Sequence, residues 1–216
     1  MTGKGRNRNR RPARRPPWRE PKPRILCVCE GCATEPEYLC GITRYHKNSR
    51  VEVVIEAGAG VPRTLVERAK QRKLAADADA RRLGDDNFAF DEVWCVHDID
   101  DHPRLDEALV MARANGIDLA VSNPSFELWL ILHFRDNPGA QNRDRMVRML
   151  KRYLPDYDKH VEFEGLAFGY SAAVQRARSL DEMAAREGEP GRNPTTGVWR
   201  LTESIRGDHG DRCEHY

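Results

Sequence analysis

"ILCVCEGCATEPEYL" (residues 25–39) runs an apolar strand pattern straight into Glu30, and "DEVWCVHDIDDH" (91–102) does the same before Asp98, Asp100 and Asp101. Both apolar runs are short and continuous. That is the pattern of a strand covered on both faces, not the strict alternation of a half-exposed one. Carboxylates at the close of such strands either begin solvated loops or converge in the folded chain and hold something positive. Which strands are neighbours decides between these.

Working outward, RILCVC (24–29) and EVWCVH (92–97) are joined by two runs of like character, VEVVIE (51–56) and IDLAV (117–121). Helical patterns separate the four. Residues 35–46 follow Thr34 as N-cap, with Pro36 in the first turn and Glu37 three residues after the cap. Residues 62–83 carry Leu65, Ala69, Leu74 and Ala76 on a long charged helix closed by Gly84. Residues 104–115 place Leu105, Leu109 and Ala112 at helical spacing before Gly116. The order βαβαβαβ predicts an α/β fold, a mostly parallel four-stranded sheet flanked by helices. Beyond 121 the patterns are helical, over 124–134, 142–153, 171–187 and 194–206, with 155–170 as an irregular connector. The expected organisation is a disordered basic arm over 1–23, an α/β core over 24–135, and a helical extension over 136–216 packed on that core.

With 39% hydrophobic and 32% charged residues, 216 residues suit one ordinary globular core. No apolar run approaches the roughly 18 residues of a membrane span, and no hydrophobic segment follows the N-terminal basic residues. The expectation is a cytoplasmic protein without membrane contact. The net charge of +2 conceals an asymmetry: residues 1–24 hold ten of the 36 basic residues and one of the 34 acids. The rest of the chain, with 26 basic and 33 acidic residues, is net −7. Arg10, Arg11, Arg14 and Arg15 in the arm either neutralise nucleic-acid phosphates or only keep the chain in solution. Cys27, Cys29 and Cys32 form a C-x-C-x2-C run, but no second cluster follows at zinc spacing, and Cys27 and Cys29 share a strand face that should be buried.

In open parallel sheets ligands sit beyond the carboxyl ends of the strands. Topology therefore puts Glu30, after the first strand, and Asp98, Asp100 and Asp101, after the third, at one sheet edge. Carboxylates held together repel unless a cation offsets them, and a hard divalent ion, Mg²⁺ or Mn²⁺, suits their oxygen ligands. Glu127 follows the fourth strand toward the same edge. There Pro124 starts a helix and Ser122 or Asn123 caps it. Ser122 and Glu127 either serve a second ion or phosphate, or only cap the helix while Phe126, Leu128, Trp129 and Leu132 pack inward. His133 fits a satisfied core histidine better than a catalyst.

A Glu-Gly after the first strand and D-x-D after the third resemble a Toprim domain, the metal-binding module of topoisomerases, bacterial primases and OLD-type nucleases. The stretches "ILCVCEGCATEPEYL", "DEVWCVHDIDDH", "GIDLAVSNPSFELWLILHF" and "NPTTGVWRLTESI" occur in the order found in RloB-like proteins, a Toprim-related group among bacterial restriction and phage-defence genes. The resemblance covers roughly residues 24–206. Two departures from the usual pattern, Cys32-Ala33 and Gly197-Val198-Trp199, remove no acid.

That resemblance implies a metal-dependent nuclease acting in anti-phage defence by abortive infection. Asp98 and Asp100 would hold Mg²⁺ or Mn²⁺, with Asp101 assisting, and Glu30 would complete the coordination or act as general base. Glu35 would either reach the ion or only complement a helix N-terminus. The rival implication is a regulatory subunit that holds metal or nucleic acid without turnover in an ATPase-containing complex. Nucleic acid, an ATPase encoded nearby and a second copy of the chain are the partners in view.

Overall fold

The computed structural model describes residues 23–55, 62–99 and 105–207. Its elements are β1 (Ile25–Cys29), α1 (Thr34–Tyr45), β2 (Val51–Ile55), α2 (Pro62–Leu83), β3 (Glu92–Asp98) and α3 (Leu105–Ala114). There follow β4 (Asp118–Asn123), α4 (Glu127–Leu132), α5 (Arg143–Leu150), α6 (Tyr170–Arg186), β5 (Thr195–Thr196) and α7 (Val198–Arg206). The connector before α6 contains two 3-10 turns, Phe163–Gly165 and Ala167–Gly169.

The strands lie in the order β2-β1-β3-β4-β5. The first four are parallel, and β5 pairs antiparallel with the end of β4, Ser122 opposite Thr196. The sheet therefore has five strands, not the four expected. Two residues carry too little pattern to be seen as a strand, and pairing with β4 makes them one.

The order reverses at β1: the chain steps outward to β2, then returns past β1 to β3 and β4. Right-handed crossovers in opposite directions put their helices on opposite faces. The two cores agree. Leu26, Val28, Val93 and Cys95 point to one face and pack with Leu65, Val66 and Ala69 of α2 and Ala108 and Ala112 of α3. Ile25, Cys27, Cys29, Trp94 and Val96 point to the other, against Tyr38, Leu39 and Ile42 of α1. The second core continues through Trp129, Met146, Ala177 and Leu201 of α4–α7, so the C-terminal helices thicken one side only. Tyr38 is its hub, with edge-on rings at Phe126, Trp129 and Phe163. Each such large apolar side chain contributes roughly 1.5–3 kcal/mol on burial.

Several helix boundaries differ from the sequence pattern. Ala33, not Thr34, is the N-cap of α1 and makes no side-chain cap bond. Thr34 and Glu37 instead bind a distant loop, which outweighs the local capping box. α4 begins at Glu127, not Pro124, and lacks a side-chain cap; Ser122 stays in β4, its hydroxyl bonded to Thr196 Oγ1 at 2.9 Å. No helix among the described residues is long and apolar enough to cross a membrane.

Candidate functional site

Because β1 and β3 are neighbours on either side of the topological reversal, their carboxyl ends open a crevice where acids from distant sequence meet. The Glu30 N–H donates to Val96 O at 3.2 Å, so the chain is still beside β3 as it leaves β1. Asp98 closes β3 opposite Ser122 of β4, and the Ile99 N–H donates to Ser122 O at 2.8 Å. Asp100 and Asp101 lie outside the described residues, as do Arg10, Arg11, Arg14 and Arg15.

Glu35, in the first turn of α1, is buried and folds back over Gly31, where a Cβ would stand 2.1 Å from its Oε2. From below, α4 brings in Glu127, only 2% exposed. Glu35, Asp98 and Glu127 interact electrostatically with one another. Burial, then the Glu35 carboxylate, pushes Asp98 up to about 7 against the pull of Arg143. Burial also raises Glu35, as does the charge on Glu127, while Lys159 and Arg143 act the other way. Burial would raise Glu127 too, but bonds from Lys159 and Ser125 outweigh it and leave its carboxyl below the ordinary range.

Two cations of the chain itself answer these acids. Arg143 pairs with Asp98 Oδ2 and Lys159 with Glu127 Oε1. Arg143 is the first residue of α5, placed there by Asn142, whose side chain accepts from the Arg145 N–H. Lys159 sits in a loop with φ +85°, a conformation rare without glycine. The surroundings hold it there. Thr34 Oγ1 donates to Lys159 O at 2.7 Å and lies 3.1 Å from the Tyr157 hydroxyl. Tyr157 donates to Glu127 Oε1 at 2.9 Å, Ser125 donates to Glu127 Oε2 at 2.6 Å, and Glu37 accepts from the Val161 N–H at 3.0 Å.

Sequence patterns singled out Glu35, Asp98 and Glu127 but not Lys159, Arg143, Tyr157, Ser125 or the role of Thr34. No local signal marks them. Two further cations of the C-terminal half have partners away from this edge: Arg176 bonds Asp136 and the Leu132 carbonyl, and Arg178 pairs with Glu203 over the Trp199 ring. His133 is a core residue, 2% exposed, bonded to the Tyr38 hydroxyl and Leu166 O, and burial lowers it to about 4.

Does this edge suit a hard dication? Its donors are all carboxylate oxygens, the right chemistry for Mg²⁺ or Mn²⁺. Asp98 and Glu35 hold protons more tightly than usual, chiefly because they are buried and next because neighbouring carboxylates repel their charged forms. Among the described residues, however, no three His, Cys, Asp or Glu side chains stand in a metal-holding group. The donor types fit, while Arg143 and Lys159 now supply the compensating charge. The cysteine run makes no such site: Cys27 and Cys29 are fully buried and Cys32 is exposed. A cavity of about 460 Å³ lined by Asn137, Leu180, Met183, Glu189, Arg192 and Pro194 contains none of Glu35, Asp98 and Glu127.

Residues 25–205 match the family described as RloB-like protein. No curated protein and no solved structure matches the chain.

Proposed function

The chain belongs to the RloB-like family, and we propose that it is a metal-dependent nuclease of the Toprim type, hydrolysing phosphodiesters in anti-phage defence. The observation that carries this is the electrostatic coupling of Glu35, Asp98 and Glu127, from three separate elements, at the carboxyl edge of β1, β3 and β4. Asp98 and Glu127 would hold Mg²⁺ or Mn²⁺, with Glu30 and with Asp100 two residues beyond Asp98. When bound, such an ion polarises a phosphoryl oxygen and acidifies water. The chain's own residues supply the rest. Arg143 and Lys159 exchange carboxylate oxygens for those of a phosphate, orienting it by charge-assisted bonds. Glu35, whose proton affinity burial raises, takes the proton of the attacking water at Oε1 or Oε2.

Incubating the full chain with plasmid, single-stranded DNA and RNA, with and without Mg²⁺ or Mn²⁺, tests this. Cleavage that needs metal and is lost in Asp98→Ala and Glu35→Gln is expected. Metal-dependent cleavage undiminished in Asp98→Ala would remove the site from the reaction.

One observation favours a second reading. Arg143 and Lys159 already neutralise Asp98 and Glu127. That arrangement suits a regulatory subunit resting in a closed state until an ATPase partner releases it. Cleavage by the lone protein at ordinary turnover would dismiss this reading; activity confined to a co-purified complex would favour it.

A further inference from the structure

We propose that the exposed face of α5 and the turn after it, with the rings of Phe134, Tyr153 and Phe168, binds single-stranded nucleic acid near the carboxylate edge. This rests on the nuclease reading for its purpose, though not for the binding itself. Phe134 and Tyr153 stack with ring centroids 4.9 Å apart and planes 6° off parallel, and Phe168 meets Phe134 edge-on at 5.8 Å. Large aromatic side chains ordinarily lie inside, yet Phe168 is 76% exposed and Tyr153 38%. The turn that carries Phe168 is fixed. A Cβ on the next residue, Gly169, would stand 2.2 Å from His133 O, so the turn lies directly on the end of α4 and holds Phe168 outward.

Charge runs beside the rings. Arg145 and Arg148, three residues apart, share an exposed face of α5 away from the buried Met146, Met149 and Leu150, and the exposed Lys151 and Arg152 follow in the turn after it. Among the described residues none of these four makes an ion pair, whereas Arg63, Arg72, Arg82, Arg176, Arg178 and Arg192 all do. Asp144 is the sole acid on α5. The same helix begins with Arg143 on Asp98, so the cationic face lies within one helix length of the carboxylates, while Arg143, two residues before Arg145, sits on the other side of the helix. The helix of eight residues is about 12 Å long at 1.5 Å per residue, room for a few nucleotides. Unpaired cations suit a phosphate backbone, and the exposed rings of Phe168 and Tyr153, backed by the core-packed Phe134, suit unpaired bases; the bases of a duplex are already stacked on one another.

Fluorescence anisotropy on the full chain in EDTA tests this, with labelled 12-nucleotide oligo-dT, oligo-U and a 12-base-pair duplex over a salt series. The wild type is expected to prefer single strands. Phe168→Ala and Tyr153→Ala should weaken single-strand binding roughly 5- to 100-fold and leave duplex binding unchanged. The triple variant R145A/R148A/R152A should flatten the salt slope by about 2. Circular dichroism confirms that each variant is folded. Preference between oligo-dT and oligo-U names the sugar. Wild-type single-strand affinity in both ring variants, or equal affinity for duplex, overturns the proposal. So does a dimer that Phe168→Ala dissociates in sedimentation with oligonucleotide affinity unaltered, which would make the rings a face between copies. If these differences hold while no cleavage is found under any metal, the nuclease reading fails and the binding surface stands.

Discussion

Glu35 occupies the space a side chain at Gly31 would need: a Cβ there would lie 2.1 Å from Glu35 Oε2. The Glu-Gly pair after β1 is thus explained by the acid four residues on. Gly31→Ala is expected to fold with a loss below about 1 kcal/mol, because the obstructing atoms end a flexible side chain that swings aside. Displaced, the carboxylate leaves the edge, so cleavage should fall about 100-fold or more, matching Glu35→Gln. Urea unfolding and cleavage rates on the same preparations check both halves. Full activity in Gly31→Ala would detach Glu35 from the chemistry.

Asp98, raised to about 7, gives a pH signature. Its folded value exceeds the unfolded value of roughly 4, so the folded chain binds this proton more tightly. The stabilisation it contributes is present at low pH and is lost as pH rises from about 4 to 7. Asp98→Asn removes that slope. Between pH 5 and 8 the variant should gain on the wild type by about 2 kcal/mol in unfolding free energy. His133, lowered to about 4, slopes the other way but does so in both proteins and cancels in the difference. Mg²⁺ at pH 8 should raise the wild-type Tm more than that of Asp98→Asn. Parallel stability curves would contradict the buried acid.

Glu127 tests the support beneath the edge. Tyr157→Phe leaves a buried carboxylate one bond short at Oε1, for an expected loss of about 1–2 kcal/mol. Lys159→Ala should cost less, about 1 kcal/mol or below, since the Lys159 side chain is 54% exposed. Denaturation midpoints at pH 7 give the order directly. Equal midpoints for wild type and Tyr157→Phe would mean the bond carries nothing.

The thiols should divide by burial. Burial pushes Cys95 up to about 12 and Cys27 and Cys29 higher still, so these three should resist alkylation until the chain unfolds. Cys32 and Cys40 are exposed and should label in the native state. Peptide mapping after brief iodoacetamide treatment distinguishes them. Native labelling of Cys29 would mean that β1 is not covered on that face.

The parallel strands were legible because burial on both faces leaves continuous apolar runs, as in Ile25–Cys29 and Val93–Val96. Acids at strand ends followed from topology alone. What escaped depends on contacts across the chain. Thr34 resembles an N-cap, yet its hydroxyl is drawn to Tyr157 and Lys159, more than 120 residues away. Ser122 resembles a helix cap, yet Thr196 returns to bond it. Arg143 opens an ordinary-looking helix, and only the fold brings it to Asp98. Local pattern cannot encode such partners.

The gathered acids are tested most directly by a crystal soaked in Mn²⁺ and measured for anomalous scattering. The expected peak lies roughly 2.0–2.3 Å from an Asp98 carboxylate oxygen, with Glu30, Glu35 or Glu127 as a further ligand and Arg143 moved off Asp98. A protein that cleaves nucleic acid with Mn²⁺ but binds it away from Asp98, or leaves the Arg143–Asp98 pair intact, would contradict a dication site at the β1–β3 crevice.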